Sequence, residues 1–308
     1  MSRRAIISDI HSNLVALEAV LEDIKTQNVD QIVCLGDVCG YGPQPIECVD
    51  RIRQTAAWTL KGNHDEALFI EPKDFGQNAR AAIEWQKTIM EPHADSPPEQ
   101  VQRWQWLNSL SPKYQEKDVV FVHASPRDPL YEYVLREDFH DAGLGPTQRA
   151  KDIFAAMDWL CFCGHSHRPG VVSEDFHWYL PGDLEGQSTI IKRGFKTIVN
   201  VGSVGQPRDQ IPSACYCLFD YFQRDPKKTT SIMAVPHPDD RKSDNSMPDP
   251  TDDTRFGEEL EKARSTALMR LPRVTFRRVE YNIPEAQARF RAVPQLPDGL
   301  ARRLAEGK

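Results

Sequence analysis

The chain has 308 residues, 40% of them hydrophobic and 27% charged, with a formal net charge of -7. This is the composition of a soluble globular protein large enough for a sizeable core, and its acidity argues against a broad basic face that coats nucleic acid. No run of about 18 apolar residues offers a membrane span, and residues 1–8 carry a buried-strand pattern in place of a secretory leader, so the expected compartment is the cytoplasm and the cysteines are expected to be reduced, buried thiols.

The first apolar run begins at Arg4 and stops at Asp9 and His11. Leu14, Leu17, Leu21 and Ile24 then recur at helical spacing, with Glu18, Glu22 and Asp23 on the other side, which predicts an amphipathic helix. A second apolar run over residues 32–35 stops at Asp37. A shorter helix, opened by a proline in its first turn, is expected over residues 45–53, before a third strand from Trp58 to Asn63. Strand, helix, strand, helix, strand implies parallel pairing with right-handed crossovers. Residues 74–111 read as a mostly helical insertion anchored by Trp85, Trp104, Trp106 and Leu107, broken at Pro97-Pro98, and lying over the sheet edge or the site. A strand then stops at His123, and a helix over 147–157 leads to a strand that stops at His165 and His167.

Beyond His167 the pattern turns to short strands, at residues 170–173, 178–180, 189–192, 197–201, 214–221 and 274–281. They are expected to build a second sheet packed on the first. Residues 224–272 are rich in Pro, Asp, Lys, Ser and Thr and read as a partly disordered excursion, with a helix over 258–271. Short helices with a basic last turn close the chain, which is read as one domain over 1–308 without internal repeats.

Five apolar runs therefore end on metal-ligand side chains, and in α/β sheets such carboxyl ends converge on one crevice. Asp9 and His11, like His165 and His167, are two residues apart, so on an extended strand both would leave the same face. Carboxylate, imidazole and carboxamide donors without thiolate suit a borderline ion such as Mn, Fe, Co, Ni or Zn. Seven candidates exceed the needs of one tetrahedral ion, and two ions sharing a carboxylate would absorb them. Cys161-x-Cys163 and Cys215-x-Cys217 lack paired zinc-ribbon spacing and read as core thiols. His93, His140, His177 and His237 have no partner at ligand spacing and are expected to face solvent.

The blocks Asp9-x-His11, Gly36-Asp37, Gly62-Asn63-His64-Asp65, His123 and Gly164-His165-x-His167 stand in the order of the calcineurin-like metallophosphoesterases, which the chain resembles over about residues 3–222 and again near 273–290. Residues 36–43, 123–129 and 202–208 look like the small bacterial branch of phosphodiesterases and diadenosine-tetraphosphatase relatives. The resemblance implies a four-layer α/β/β/α sandwich of two mixed sheets. It implies two divalent transition-metal ions, manganese or iron ahead of zinc, cobalt or nickel. Asp9, His11 and His167 would hold one ion, Asn63, His123 and His165 the other, and Asp37 would bridge them. It further implies in-line attack on a phosphate ester by a metal-bridging hydroxide, with His64 as general acid; Asp65, next in the chain, is read as the orienter of that imidazole. Asn13, Arg127 and Arg208, each just past a block end, are candidate substrate contacts.

Gly40 and Tyr41 stand where serine/threonine protein phosphatases carry an aspartate and an arginine. A small phosphodiester or nucleotide polyphosphate is therefore favoured over a phosphoprotein. The other readings are a non-catalytic scaffold of the same fold, which tends to lose the histidine or a ligand, and a nuclease, which would show a basic, aromatic-lined groove. Oligomeric state is not legible.

Overall fold

Period-two alternation in the first strand decides the architecture, because Ile6 faces one apolar core while Ala5 and Ile7 face another. A strand buried on both faces requires a layer on each side. The computed structural model describes residues 2–139, 145–221 and 271–308. Its first part runs β1 (Ser2–Ile7), α1 (Leu14–Lys25), β2 (Gln31–Cys34), α2 (Pro45–Thr55) and β3 (Trp58–Thr59), with β1, β2 and β3 paired in parallel as the alternation implied. Next come α3 (Asn63–Glu66), α4 (Gln77–Met90), α5 (Pro98–Ser109), β4 (Lys113–Glu116) and β5 (Val119–Val122). Two helices, α6 (Arg136–Phe139) and α7 (Gln148–Ala155), precede β6 (Leu160–Cys163). The remaining strands are β7 (Gly170–Ser173), β8 (Trp178–Tyr179), β9 (Ser188–Ile190), β10 (Thr197–Asn200), β11 (Ala214–Tyr221) and β12 (Arg273–Val279), and the chain closes with α8 (Ile283–Arg291) and α9 (Asp298–Glu306).

The strands form two six-stranded mixed sheets, ordered β3-β2-β1-β11-β12-β9 and β4-β5-β6-β10-β7-β8. Their inner faces share a core in which Ile6, Val33, Phe219 and Phe276 of the first sheet meet Phe121, Phe162 and Val199 of the second. On the outer face of the first sheet, Leu17 and Val20 of α1 and Val49 and Ile52 of α2 cover Ala5, Ile7 and Cys34. On the outer face of the second, Ile153 and Phe154 of α7 cover Val120, Val122, Cys161 and Cys163. This is the α/β/β/α sandwich. Cys161 and Cys163 lie in an outer core and Cys215 and Cys217 in the inner one, and all seven cysteines are free and buried.

Two expectations are corrected. The strands that end on candidate ligands do not share one sheet, and the later strands do not form a sheet of their own. β11 pairs antiparallel with β1, and β10 pairs parallel with β6, so each sheet mixes early and late strands. Alternation tells a strand which faces are buried but not which neighbour supplies its hydrogen bonds. The edge strand β4, mostly exposed, adds a pairing that its polar sequence did not announce. The excursion expected at 224–272 and the helix at 258–271 fall almost entirely outside the described residues, as do His140 and His237. Among the described residues no helix is long and apolar enough to cross a membrane.

Asp23 ties α1 to the sheet beneath it. Its carboxylate accepts from Arg277 at 2.6 and 3.1 Å and from the Tyr216 hydroxyl at 2.6 Å. Burial opposes its charge, but the bonds from Arg277 and Tyr216 outweigh that and hold the carboxyl below its usual range. A depressed native pKa stabilises the fold above the unfolded value, near 4, and that contribution fades as pH falls through the native value. Asp23→Asn should therefore cost about 1–2 kcal/mol at neutral pH, the lower part of the charge-assisted range because Arg277 keeps solvent contact. Urea titrations at pH 7 and in acid check this; an equal loss at both would remove the electrostatic explanation.

Candidate metal centre

The loops that follow β1, β2 and β3 of one sheet and β5 and β6 of the other meet at a single edge of the sandwich. Those after β1, β2 and β6 leave their strands through tight left-handed turns. Asp9, His11, Asp37, His165 and His167 all have φ between 49 and 61°, the left-handed region that β-carbon-bearing residues rarely enter and that is typically over-determined at functional sites. The expectation of extended alternation at Asp9-x-His11 and His165-x-His167 is thereby corrected: β1 and β6 stop at Ile7 and Cys163, and a left-handed turn aims the side chains. Asn63 likewise opens the short α3 after β3 has ended at Thr59.

The seven candidate ligands come together, none more than 7% exposed. Ligand atoms of Asp9, His11 and His167 lie within 4.8 Å of one another, as do those of Asp37, His123 and His165, and those of His11, Asp37 and His64. Asn63 joins the second group, its Oδ1 lying 3.0 Å from His123 Nε2. His11 and Asp37 link the three groups, and Asp37 stands between the two sides, with Oδ2 3.5 Å from His11 Nε2 and 3.3 Å from His123 Nε2.

The hydrogen bonds on the far sides of the rings test whether these groups fit cations. His11 Nδ1 faces the Cys39 carbonyl at 3.0 Å, His123 Nδ1 the Leu35 carbonyl at 3.1 Å, His167 Nδ1 the Gln206 carbonyl at 2.5 Å, and His165 Nε2 the Tyr131 carbonyl at 3.2 Å. A carbonyl only accepts, so each of those nitrogens carries the proton and the other turns a lone pair inward. The inward atoms then crowd one another, His11 Nε2 with His167 Nε2 at 3.0 Å and His123 Nε2 with His165 Nδ1 at 3.2 Å. Facing lone pairs beside two buried carboxylates are repulsive without positive charge between them. Burial pushes His165 down to about 3 and His64 down to about 4. His123 moves the other way, to about 9: burial opposes its charge, but Asp37 together with Asp9 and Asp65 outweighs it, so the inward Nε2 of His123 draws positive charge to this spot, as a proton or as a cation. The donor set thus fits divalent cations.

Glycine is required beside these ligands at several positions, two of which shape the site directly. A β-carbon on Gly62 would stand 2.0 Å from Asp37 Oδ1, and one on Gly40, whose φ is +91°, would stand 2.3 Å from His64 Nδ1. The glycine at position 40 therefore does more than omit an aspartate: the His64 ring occupies that space. His64 itself is 4% exposed, donates its backbone N–H to Asp37 Oδ1 at 2.9 Å, and packs against Tyr41, His11 and Phe75. Its Nδ1 is buried without a hydrogen-bond partner. Asp65 does not orient this imidazole, because its oxygens accept from the backbone amides of Val38, Cys39 and Gly62.

The three expected substrate contacts separate. Asn13 is corrected to a structural role: it caps α1 by accepting from Ala16 N–H and donates to the Gly205 carbonyl. Arg127 is also corrected, since Glu132 and Asp152 engage its guanidinium. Arg208 alone reaches the cluster. Its Nη2 donates to the Tyr41 hydroxyl at 3.2 Å and to Gln206 Oε1 at 2.8 Å, and its buried Nε has no partner. His93 and His177 are exposed, as expected.

Several residues at the site carried no sequence signal. Gln86 of α4 donates to Ser12 Oγ and the Gly42 carbonyl and accepts from Gly40 N–H, which pins the turn that carries Tyr41. Phe75 packs on His64, and Tyr133 stacks on His165. Only their distance in sequence from the ligand blocks hid them.

The comparisons with known proteins agree with this geometry. A family model described as the calcineurin-like phosphoesterase superfamily domain matches residues 3–224. An uncharacterized protein of Methanocaldococcus jannaschii is 40% identical over 223 residues, which make up 70% of this chain and 82% of that one. Among solved structures, a metallophosphoesterase from Sphaerobacter thermophilus is 33% identical and superposes with a TM-score of 0.68, covering 100% of this chain and 99% of its own. A hypothetical protein from Pyrococcus horikoshii, 16% identical, matches over 100% and 99% of the two chains with a TM-score of 0.61, a likeness of fold alone.

Proposed function

The chain belongs to the calcineurin-like phosphoesterase superfamily, and we propose that it is a dinuclear metal-dependent hydrolase of small phosphate esters, phosphodiesters or nucleotide polyphosphates ahead of phosphoproteins. The observation that carries this reading is the pair of buried ligand groups whose inward lone pairs converge on either side of Asp37. Asp9, His11 and His167 would hold one ion and Asn63, His123 and His165 the other, with Asp37 between them. Such ions, when bound, activate water as a nucleophile and neutralise charge on the phosphoryl oxygens.

The protein supplies the rest. Backbone carbonyls behind the four ligand histidines lock their tautomers, so the donors are positioned before substrate arrives. Arg208, braced by Tyr41 and Gln206 and with its Nε free, would grip a phosphoryl oxygen; its planar fork suits that task. In this way an arginine from the loop after β10 takes up the clamp that Tyr41 does not provide. His64, held neutral by burial in the free protein, would take up a proton as the negative charge of a bound phosphate ester raises its affinity for one, and would give it to the departing oxygen from a pocket walled by Tyr41 and Phe75. Dense burial of the site excludes bulk water around these groups and strengthens their electrostatic action.

The test is a manganese-loaded panel of bis(p-nitrophenyl) phosphate, mononucleotides, cyclic nucleotides, dinucleoside polyphosphates and a phosphopeptide. About two metal equivalents per chain are expected by elemental analysis, with turnover of diesters or nucleotide esters that chelation abolishes and manganese restores. A loaded chain that turns over none of them would favour the scaffold reading instead.

A further inference from the structure

Two of the six exposed large hydrophobic side chains among the described residues stand beside the candidate metal centre. Tyr131 is 44% exposed and Tyr133 41%. Both sit on the segment between β5 and α6, and the Tyr131 carbonyl receives the outer nitrogen of His165 at 3.2 Å. The Tyr133 ring lies on the His165 ring, with centroids 3.9 Å apart and planes 23° apart. One face of Tyr133 is thus covered by a candidate ligand, and its exposure belongs to the other face and the edge. Arg208 donates to the Tyr41 hydroxyl at 3.2 Å, and its charge acts on the Tyr133 hydroxyl, which places the guanidinium on the same side of the site. A flat, open aromatic face and a partly exposed arginine therefore stand at one site.

We propose that this is a two-part seat for a nucleotide, in which Arg208 takes the phosphoryl group and a nucleobase stacks on the open face of Tyr133, with Tyr131 flanking it. The inference rests on the phosphoesterase reading and names its substrate class as phosphate esters that carry a nucleobase. Stacking on an aromatic face tolerates any base, because every base has a π-face. The net charge of -7 disfavours a long polyanion, so the ligand is of mononucleotide or dinucleotide size. A Tyr133 that served only to orient His165 has no need of an exposed face.

The experiment is isothermal titration of the full, manganese-loaded chain with AMP and with ribose 5-phosphate, which carries a phosphoryl group and a sugar but no base. AMP should bind about 5- to 100-fold more tightly, the range that stacking one base corresponds to. Tyr133→Ala should erase that preference while leaving ribose 5-phosphate affinity in place, and Tyr133→Phe, which keeps the ring, should retain it. Equal binding of the two ligands by the wild-type chain overturns the seat, even where phosphoesters are hydrolysed. An equal loss of both ligands in Tyr133→Ala also overturns it, since the tyrosine then serves His165 alone. An AMP preference that persists in a loaded chain hydrolysing no phosphoester would uphold the seat and overturn only the phosphoesterase reading.

Discussion

Replacing His64 by alanine is expected to lower kcat by about 10²–10⁴-fold on esters with an alkoxide leaving group, the range that general acid catalysis supplies. Metal content should stay at about two equivalents, because the paired groups around Asp37 keep their other members. The loss should shrink on bis(p-nitrophenyl) phosphate, whose departing phenolate needs a proton far less. That dependence separates proton donation from mere binding of a phosphoryl oxygen, which would cost all substrates alike. Because His64 packs against His11, Tyr41 and Phe75, its removal leaves a cavity, and a thermal melt should accompany the kinetics. Full activity on every substrate would end the assignment.

Asp37→Asn should be at least as damaging, and for a different reason. The amide oxygen can still accept the His64 backbone N–H, and the side chain has the same shape beside Gly62, so what changes is the charge. The side chain that stands between His11 and His123 then no longer attracts cations from both sides. Elemental analysis should find one manganese or fewer per chain. Losing several kcal/mol of charge stabilisation corresponds to about a 10³-fold or larger fall in kcat/KM. A variant that still binds two ions tightly would break the bridging role.

Much of this site was legible in the sequence because metal ligands are chemically narrow: aspartate and histidine directly after an apolar run have few structural reasons to recur. Ordinary periodicity also revealed the β1-α1-β2-α2-β3 succession. Other features were hidden for physical reasons. Strand pairing across the sandwich depends on partners nearly the whole chain apart, such as Ser2 with Tyr221, and no local pattern records it. Asn13 and Arg127 stood at block ends like Arg208, yet capping geometry and nearby carboxylates claimed them. Proximity in sequence could not separate the three, since only the fold shows which side chain has a free edge. Tyr133 is an ordinary loop tyrosine until His165 is found beneath it.

The division of the ligands between the sheets gives the apolar interior a metrological role. Asp9, His11, Asp37 and Asn63 hang from one sheet, and His123, His165 and His167 hang from the other. Between them, Phe162 and Phe219 span the gap at 4.9 Å, three residues before His165 and beside the strand that leads to Asp9. The thickness of that packed layer sets the distance between the two halves of the candidate ligand set, as the jaws of a caliper are set by what they close on. Metal–ligand distances are held to within about 0.2 Å, and a close-packed interior passes the strain of a gained or lost methylene to its surroundings. Side chains remote from the candidate ligands thus hold the two halves of the set at a fixed spacing.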